Sequence, residues 1–142
     1  MSQQTQAEGH CLCRRVQVRA DSMALEVGAC HCTMCRRWGG GPFVEVHCGT
    51  AVHFSGEEHI RLFSSSDWAE RGFCSHCGTH LFYRLKHDSS HIMPAGLFGD
   101  DPRLKLTTQV FVDEQPHYYQ FANDTLCLTG EQVFEQFSGD TE

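Results

Sequence analysis

The chain has 142 residues, 40% of them hydrophobic, with 18 acidic against 11 basic side chains and a formal net charge of −7. That length suits one domain built on one core. The acidic balance excludes the broad basic surface of a nucleic-acid-binding protein, and no apolar run approaches the roughly 18 residues that a membrane span requires.

In chain order, residues 1–8 are polar and read as a flexible N-terminus. The start, MSQQTQAEGH, lacks the basic and apolar segments of a signal peptide, so the expected location is the cytoplasm. Residues 11–20, CLCRRVQVRA, alternate with period two and predict a strand. Residues 24–30 predict another. Residues 33–38 have room for one helical turn before the Gly39-Gly40-Gly41-Pro42 run stops it. Strands are predicted over 43–47, 51–54, 59–63, 80–85, 90–97 and 106–112, with SSSDWAERG as a loop and 116–121 as an aromatic strand or edge. Residues 131–142 carry four acids and no base and are expected to fray. No helix of ten residues is expected. The predicted organisation is a loose segment 1–8, one mainly β domain over 9–125, and an acidic tail over 126–142.

The nine cysteines are the informative count. Seven fall in three clusters: Cys11 and Cys13 as C-x-C, Cys30, Cys32 and Cys35 as C-x-C-x-x-C, and Cys74 and Cys77 as C-x-x-C. In a reducing compartment such spacing points to metal rather than disulfides. Thiolates are soft ligands suited to zinc, and Gly78 suits the positive φ of a turn that aims two sulfurs at one ion. A structural zinc takes four ligands, and a catalytic zinc takes three and an open position. Seven cysteines divide accordingly: Cys11, Cys13, Cys74 and Cys77 close one site, while Cys30, Cys32 and Cys35 hold a second. Two other arrangements stay open on spacing alone. Cys32 and Cys35 can pair with Cys74 and Cys77 in a single closed site, or Cys48 or a histidine can complete the triple cluster. His31, between two ligands, is expected to point away. Cys48 and Cys127 read as small core residues. Arg14, Arg15, Arg36 and Arg37 directly follow cysteine motifs, a local anion site in an otherwise acidic chain.

GHCLC, CHCTMC and GFCSHCGT, in that order, resemble the family of glutathione-dependent formaldehyde-activating enzymes, which includes the centromere protein V type. The likeness runs over about residues 9–121 and takes in SSSDWAERGFCSHCGTHLFY and the turn AGLFGDDPRL. The resemblance implies a zinc-centred β-tent fold of short strands, similar to methionine-R-sulfoxide reductases. It also implies a structural zinc on Cys11, Cys13, Cys74 and Cys77 and a catalytic zinc on Cys30, Cys32 and Cys35. Where family members usually carry a histidine in a late apolar segment, TTQVFV has Gln109. Where a lysine and a tryptophan are common, EQPHYYQF has His117, Tyr118 and Tyr119. These departures bear on the substrate pocket and not on the zinc ligands.

The implied activity is that of a carbon–sulfur lyase or synthase joining a small thiol, glutathione first, to formaldehyde. A free thiol is mostly protonated at neutral pH, and metal coordination removes that proton. Arg36, Arg37 and the N–H groups of Gly39, Gly40 and Gly41 are candidates to hold a carboxylate of the tripeptide. The rival from another class is a protein-binding module in which both zincs are structural, which requires a fourth protein ligand on the second. A redox enzyme would need a late nucleophilic cysteine, for which Cys127 is the candidate. The sequence leaves the oligomeric state open.

Overall fold

The computed structural model describes residues 3–140, the side chains of 137–140 apart; of the expected loose ends, residues 1, 2, 141 and 142 lie outside the described residues. Eleven strands and two helices follow one another as β1 (Gln4–His10), β2 (Gln17–Ala24), β3 (Glu26–Cys30), α1 (Thr33–Gly39), β4 (Phe43–Gly49), β5 (Val52–Ser55), β6 (Ile60–Ser64), β7 (Ala69–Cys74), β8 (His80–Leu85), β9 (His91–Pro94), β10 (Lys105–Val110), β11 (Leu126–Leu128) and α2 (Gly130–Asp140). The fold is mainly β, as the sequence implies.

Two sheets divide the strands. The smaller has the order β1-β2-β5, and the larger β11-β10-β3-β4-β9-β8-β7-β6. All neighbours are antiparallel except β10, which runs parallel to both β3 and β11. The smaller sheet covers one face of the larger. Val18, Ala20 and Met23 of β2 meet Val27, Val46, Leu81, Phe82 and Met93 in the main core. The other face of the large sheet carries a different set. Register places Cys30 beside Phe43, Gly28 beside Glu45, Ile92 beside Tyr83, and Tyr83 beside Arg71. Paired residues of antiparallel neighbours share a face, so polar and sulfur groups gather on the side away from the main core.

Five local expectations are corrected. Residues 4–10 are not loose: β1 pairs with β2 along its length, and its inward positions Thr5, Ala7 and Gly9 are too small to show an apolar alternation. Residues 11–16 form a turn rather than the start of a strand. Cys11 N–H donates to the Val16 carbonyl, Arg14 N–H donates to the Cys11 carbonyl, both at 3.0 Å, and Arg14 adopts φ 69°. Ala69–Gly72, read as loop, lie inside β7. The C-terminal segment is ordered too. Residues 126–128 join the large sheet, and α2 begins with a capping box in which Gln132 N–H donates to Thr129 Oγ1 (3.2 Å) and Thr129 N–H to Gln132 Oε1 (2.8 Å). Phe134 packs edge-on against Phe111, which ties α2 down. The aromatic segment 116–121 is not a strand; it crosses the site and lays Tyr119 and Phe121 on His31.

Close packing between neighbouring strands of the large sheet fixes one glycine tightly. A Cβ at Gly72 in β7 would overlap the ring of Phe82, itself 1% exposed in the main core. Gly72→Ala is therefore expected to cost about 2 kcal/mol, measured by denaturant unfolding. Gly39→Ala, with nothing within 4 Å of its Cβ position, should stay close to wild type. Equal stabilities for the two variants would contradict the packing.

Candidate metal and active site

The first group of sulfurs is assembled from two turns far apart in the chain. Cys11 and Cys13 sit in the turn between β1 and β2, and Cys74 and Cys77 in the turn between β7 and β8. Gly78 adopts φ 80° and donates its N–H to the Cys74 carbonyl at 2.8 Å, the positive φ expected of it. Thr79 links the turns: its hydroxyl accepts from Leu12 N–H at 3.1 Å and lies 3.1 Å from Cys77 Sγ. All four sulfurs lie within 4.8 Å of one another. Neighbouring pairs are 3.6 Å (Cys11–Cys13) and 3.7 Å (Cys13–Cys74) apart. A tetrahedral ion with metal–sulfur bonds of about 2.3 Å requires sulfur separations of roughly 3.8 Å, so the donor set fits a soft divalent ion such as zinc. Burial holds the Cys11 thiol up at about 11, a cost that a metal removes by taking the thiolate.

The second group is Cys30, Cys32 and Cys35, again within 4.8 Å of one another. Cys30 ends β3, and Cys32 caps α1, its Sγ accepting from Cys35 N–H at 3.3 Å. α1 reaches two turns rather than one and stops where expected, at Gly40 with φ 87°, whose N–H returns to the Arg36 carbonyl. Hydrogen bonds from Cys30 and Cys35 pull the Cys32 thiol below the ordinary thiol range, and the reciprocal bonds push Cys30 far above it. A cation among three thiols this close is what lets all three ionise.

No further histidine, cysteine or carboxylate joins this group among the described residues. His31 turns away. Its Nδ1 lies 2.7 Å from the Tyr119 hydroxyl and its Nε2 2.8 Å from Gln109 Oε1. Gln109 Nε2 donates to Thr125 Oγ1 at 2.8 Å, which turns the amide oxygen toward the ring. The imidazole therefore donates from Nε2 to the Gln109 oxygen. Cys48 is buried in the main core on the far side of the sheet. Cys127 is exposed on the edge strand β11 beside Thr125. The single-site arrangement, with Cys32 and Cys35 joining Cys74 and Cys77, is not the one adopted.

Two cavities flank α1. The larger, about 610 Å³, is lined by Cys35, Gly39, Gly41, Phe43 and His80 and reaches Cys11. The smaller, about 420 Å³, is lined by Thr33, Arg37, Phe63, Ser65 and Arg71. Trp38 forms part of both walls and packs on Phe63, Phe73 and His80. The two adjacent arginines part company: Arg37 lines the smaller cavity, while Arg36 Nε donates to the His31 carbonyl at 2.9 Å.

Two charged residues of the site escaped the sequence analysis. Arg71, in β7, donates from Nη2 to Cys35 Sγ at 3.4 Å. Glu45, in β4, lies over Gly28, where a Cβ would come to 3.3 Å from its Oε1. Burial, with a smaller contribution from the nearby Cys32 charge, raises the Glu45 carboxyl to about 8 against the opposing pull of Arg71. It is therefore uncharged at neutral pH. Glu45 carried only a faint signal, an ionisable residue between two valines of a strand, and Arg71, between Glu70 and Gly72, carried none.

The chain is similar to known proteins in sequence and in fold. The chain is 33% identical over 129 residues to an uncharacterized lyase of Schizosaccharomyces pombe, an alignment covering 90% of this chain and 94% of the yeast protein. Its fold is similar to the crystal structure of a Rhodobacter sphaeroides protein, with TM-score 0.55 and 21% identity over 68% of this chain and 92% of that one. Residues 6–114, which hold both sulfur groups, match the glutathione-dependent formaldehyde-activating enzyme family, and the chain belongs to that family.

Proposed function

We propose that the protein is a zinc-dependent carbon–sulfur lyase or synthase that makes or breaks an S-hydroxymethylglutathione-like adduct of a small thiol. The observation that carries this reading is the three-sulfur group with no fourth protein donor among the described residues, set beside two cavities. Family membership supports the reaction class. The binding-module reading needs a fourth protein ligand at the second group, and His31 and Cys48 are both engaged elsewhere.

In this reading Cys11, Cys13, Cys74 and Cys77 hold a structural zinc, and Cys30, Cys32 and Cys35 hold a catalytic one. A zinc held by three cysteines supplies a Lewis-acid position at which a substrate thiol is taken as its thiolate. The chain's own groups do the rest. Arg37, which lines the smaller cavity, holds a carboxylate of the thiol. Trp38 and Phe43 exclude water from the reacting carbon. In the synthetic direction the sulfur forms a bond to the aldehyde carbon, the carbonyl pair moves onto oxygen, and that oxygen takes a proton. Glu45 is the buried carboxyl on this face that retains a proton at neutral pH. In the lyase direction it accepts the hydroxyl proton as the carbon–sulfur bond breaks.

Metal content and unfolding of two variants test the division of labour. The chain as purified with zinc should hold two zincs. Cys74→Ser opens a crosslink spanning 61 residues and should aggregate or unfold. Cys35→Ser should remain folded with one zinc. Identical melting of the two variants would remove the separate roles.

Calorimetry with glutathione, followed by exchange NMR of glutathione with formaldehyde, tests the activity. Binding and an exchange rate at least about tenfold above the spontaneous one are expected. A zinc-loaded protein that binds no thiol would overturn the reading.

Glu45 gives a pH signature. Its folded value, about 8, lies above the ordinary 4.5, so the fold binds this proton more tightly than the unfolded chain does. The stability from this proton is full below the unfolded value and is lost as pH rises toward 8. Glu45→Gln should therefore become more stable relative to wild type by about 1 kcal/mol per pH unit between about pH 5 and 8, and level off above. A pH-independent difference in denaturant unfolding would show that this carboxyl is ionised.

A further inference from the structure

Arg71 is the least explained charge in the molecule. It is 1% exposed, among the largest fully buried side chains of the chain. Its Nη2 donates to Cys35 Sγ at 3.4 Å, and its Nε and Nη1 have no hydrogen-bond partner. The guanidinium is flanked by two rings, Trp38 at 5.7 Å and Tyr83 at 5.1 Å from its centre. Among the described residues no carboxylate forms an ion pair with it, whereas Arg84 on the neighbouring strand is paired with Glu70. A guanidinium cannot shed its proton. A full positive charge is thus kept inside the protein between two rings, with sulfur as its hydrogen-bond partner, and a buried charge without an ion-pair partner is strongly destabilising. Packing alone does not call for it, since an apolar chain of similar length would fill the space between the rings without that cost.

The chemistry of the sulfur group supplies a reason. Three thiolates around a divalent cation carry a net charge of −1, and a fourth thiolate makes it −2. A second negative charge entering a largely buried site is opposed by several kcal/mol unless a cation stands close. Arg71 is the cation in contact with the group, and Arg37 lines the same smaller cavity. Arg36, which sequence proximity singles out, spends its Nε on the His31 carbonyl.

We propose that Arg71 is the positioning residue that lets the three-cysteine group accept an anionic fourth ligand in preference to a neutral one, with its Nε and Nη1 N–H groups as the donors that answer the ligand's charge. The inference rests on reading that group as an open metal site. It defines the ligand class as thiolates and other small anions.

The test uses the full chain with cobalt in place of zinc, whose visible bands report ligand entry without turnover. Glutathione, azide and imidazole are titrated into wild type, Arg71→Met and Arg71→Lys. Arg71→Met is expected to weaken glutathione and azide by about tenfold or more while imidazole, a neutral ligand, stays within about twofold. Arg71→Lys keeps the charge and loses the planar fork, so its anion affinities should fall between the other two. A merely structural arginine would lower all three ligands together, and that result, or no change in any, overturns the proposal. If Arg71→Met does not fold, Arg71→Lys decides: anion binding equal to wild type, or imidazole lost in parallel, overturns it. The proposed activity fails separately. Wild type that takes azide but not glutathione refutes the thiol reading and leaves the role of Arg71 standing on azide. Wild type that takes neither anion refutes the anion role as well.

Discussion

The convergence of four sulfurs from two turns is the constraint on which the rest of the structure depends. Cys11 and Cys13 lie between two strands of the small sheet, and Cys74 and Cys77 between two strands of the large one. Drawing them to within 4.8 Å ties the sheets together at one corner. Cys11 and Cys74 are fully buried and belong to the main core themselves. The core they join is modest, built of valine, leucine, methionine and a few aromatics, as befits a chain of 142 residues. A crosslink at such a corner removes chain entropy that a core of this size would struggle to offset alone.

With that corner fixed, the large sheet serves two purposes. Its covered face is apolar and structural. Its other face begins at Cys30, where β3 ends, and gathers the second sulfur group, Arg71, Tyr83 and Glu45 under α1 and the crossing segment that carries Tyr119. The strand period of two produces this division without special devices. In β7, Gly72 faces the core against Phe82 while Arg71, one residue earlier, faces the sulfurs. Trp38 wedges α1 against β6, β7 and β8, so the helix that carries Cys35 is held by aromatic contacts rather than by its own short length.

The cysteines were legible in the sequence because a metal site needs particular donors at particular spacings, and nothing else explains seven of them in three short clusters. The fold class was legible for a similar reason: short alternating runs cut by glycine and polar turns leave little but a β architecture. β1 was hidden because its inward residues are small. α2 was hidden because the T-x-x-Q capping box at Thr129 was outweighed by the acidic composition after it. The site's charges were hidden for a deeper reason. Arg36 and Arg37 stand out by adjacency to Cys35, yet adjacency on a helix sends successive side chains in different directions. Arg71 is 36 residues from Cys35 and reaches it only because β7 and α1 are stacked. The partner of His31 was equally invisible, since Gln109 is 78 residues away and meets it only through the parallel pairing of β3 with β10.

Gln109 has a consequence for how the site is held. Its amide oxygen accepts the His31 proton while its nitrogen is fixed by Thr125. An amide does not change charge with pH, whereas two facing imidazoles would compete for protons across the physiological range. The His31–Gln109–Tyr119 chain is thus a hydrogen-bonded brace behind Cys30 and Cys32. On the other side of the same sulfurs stands Arg71, permanently charged. The three-cysteine group is therefore set between a hydrogen-bonded support and a guanidinium that never neutralises. Burial raises the Glu45 carboxyl on the same face to about 8. The tasks are divided among these groups: the brace fixes geometry, the arginine fixes the electrostatic field, and Glu45 is a carboxyl whose charge changes near neutral pH.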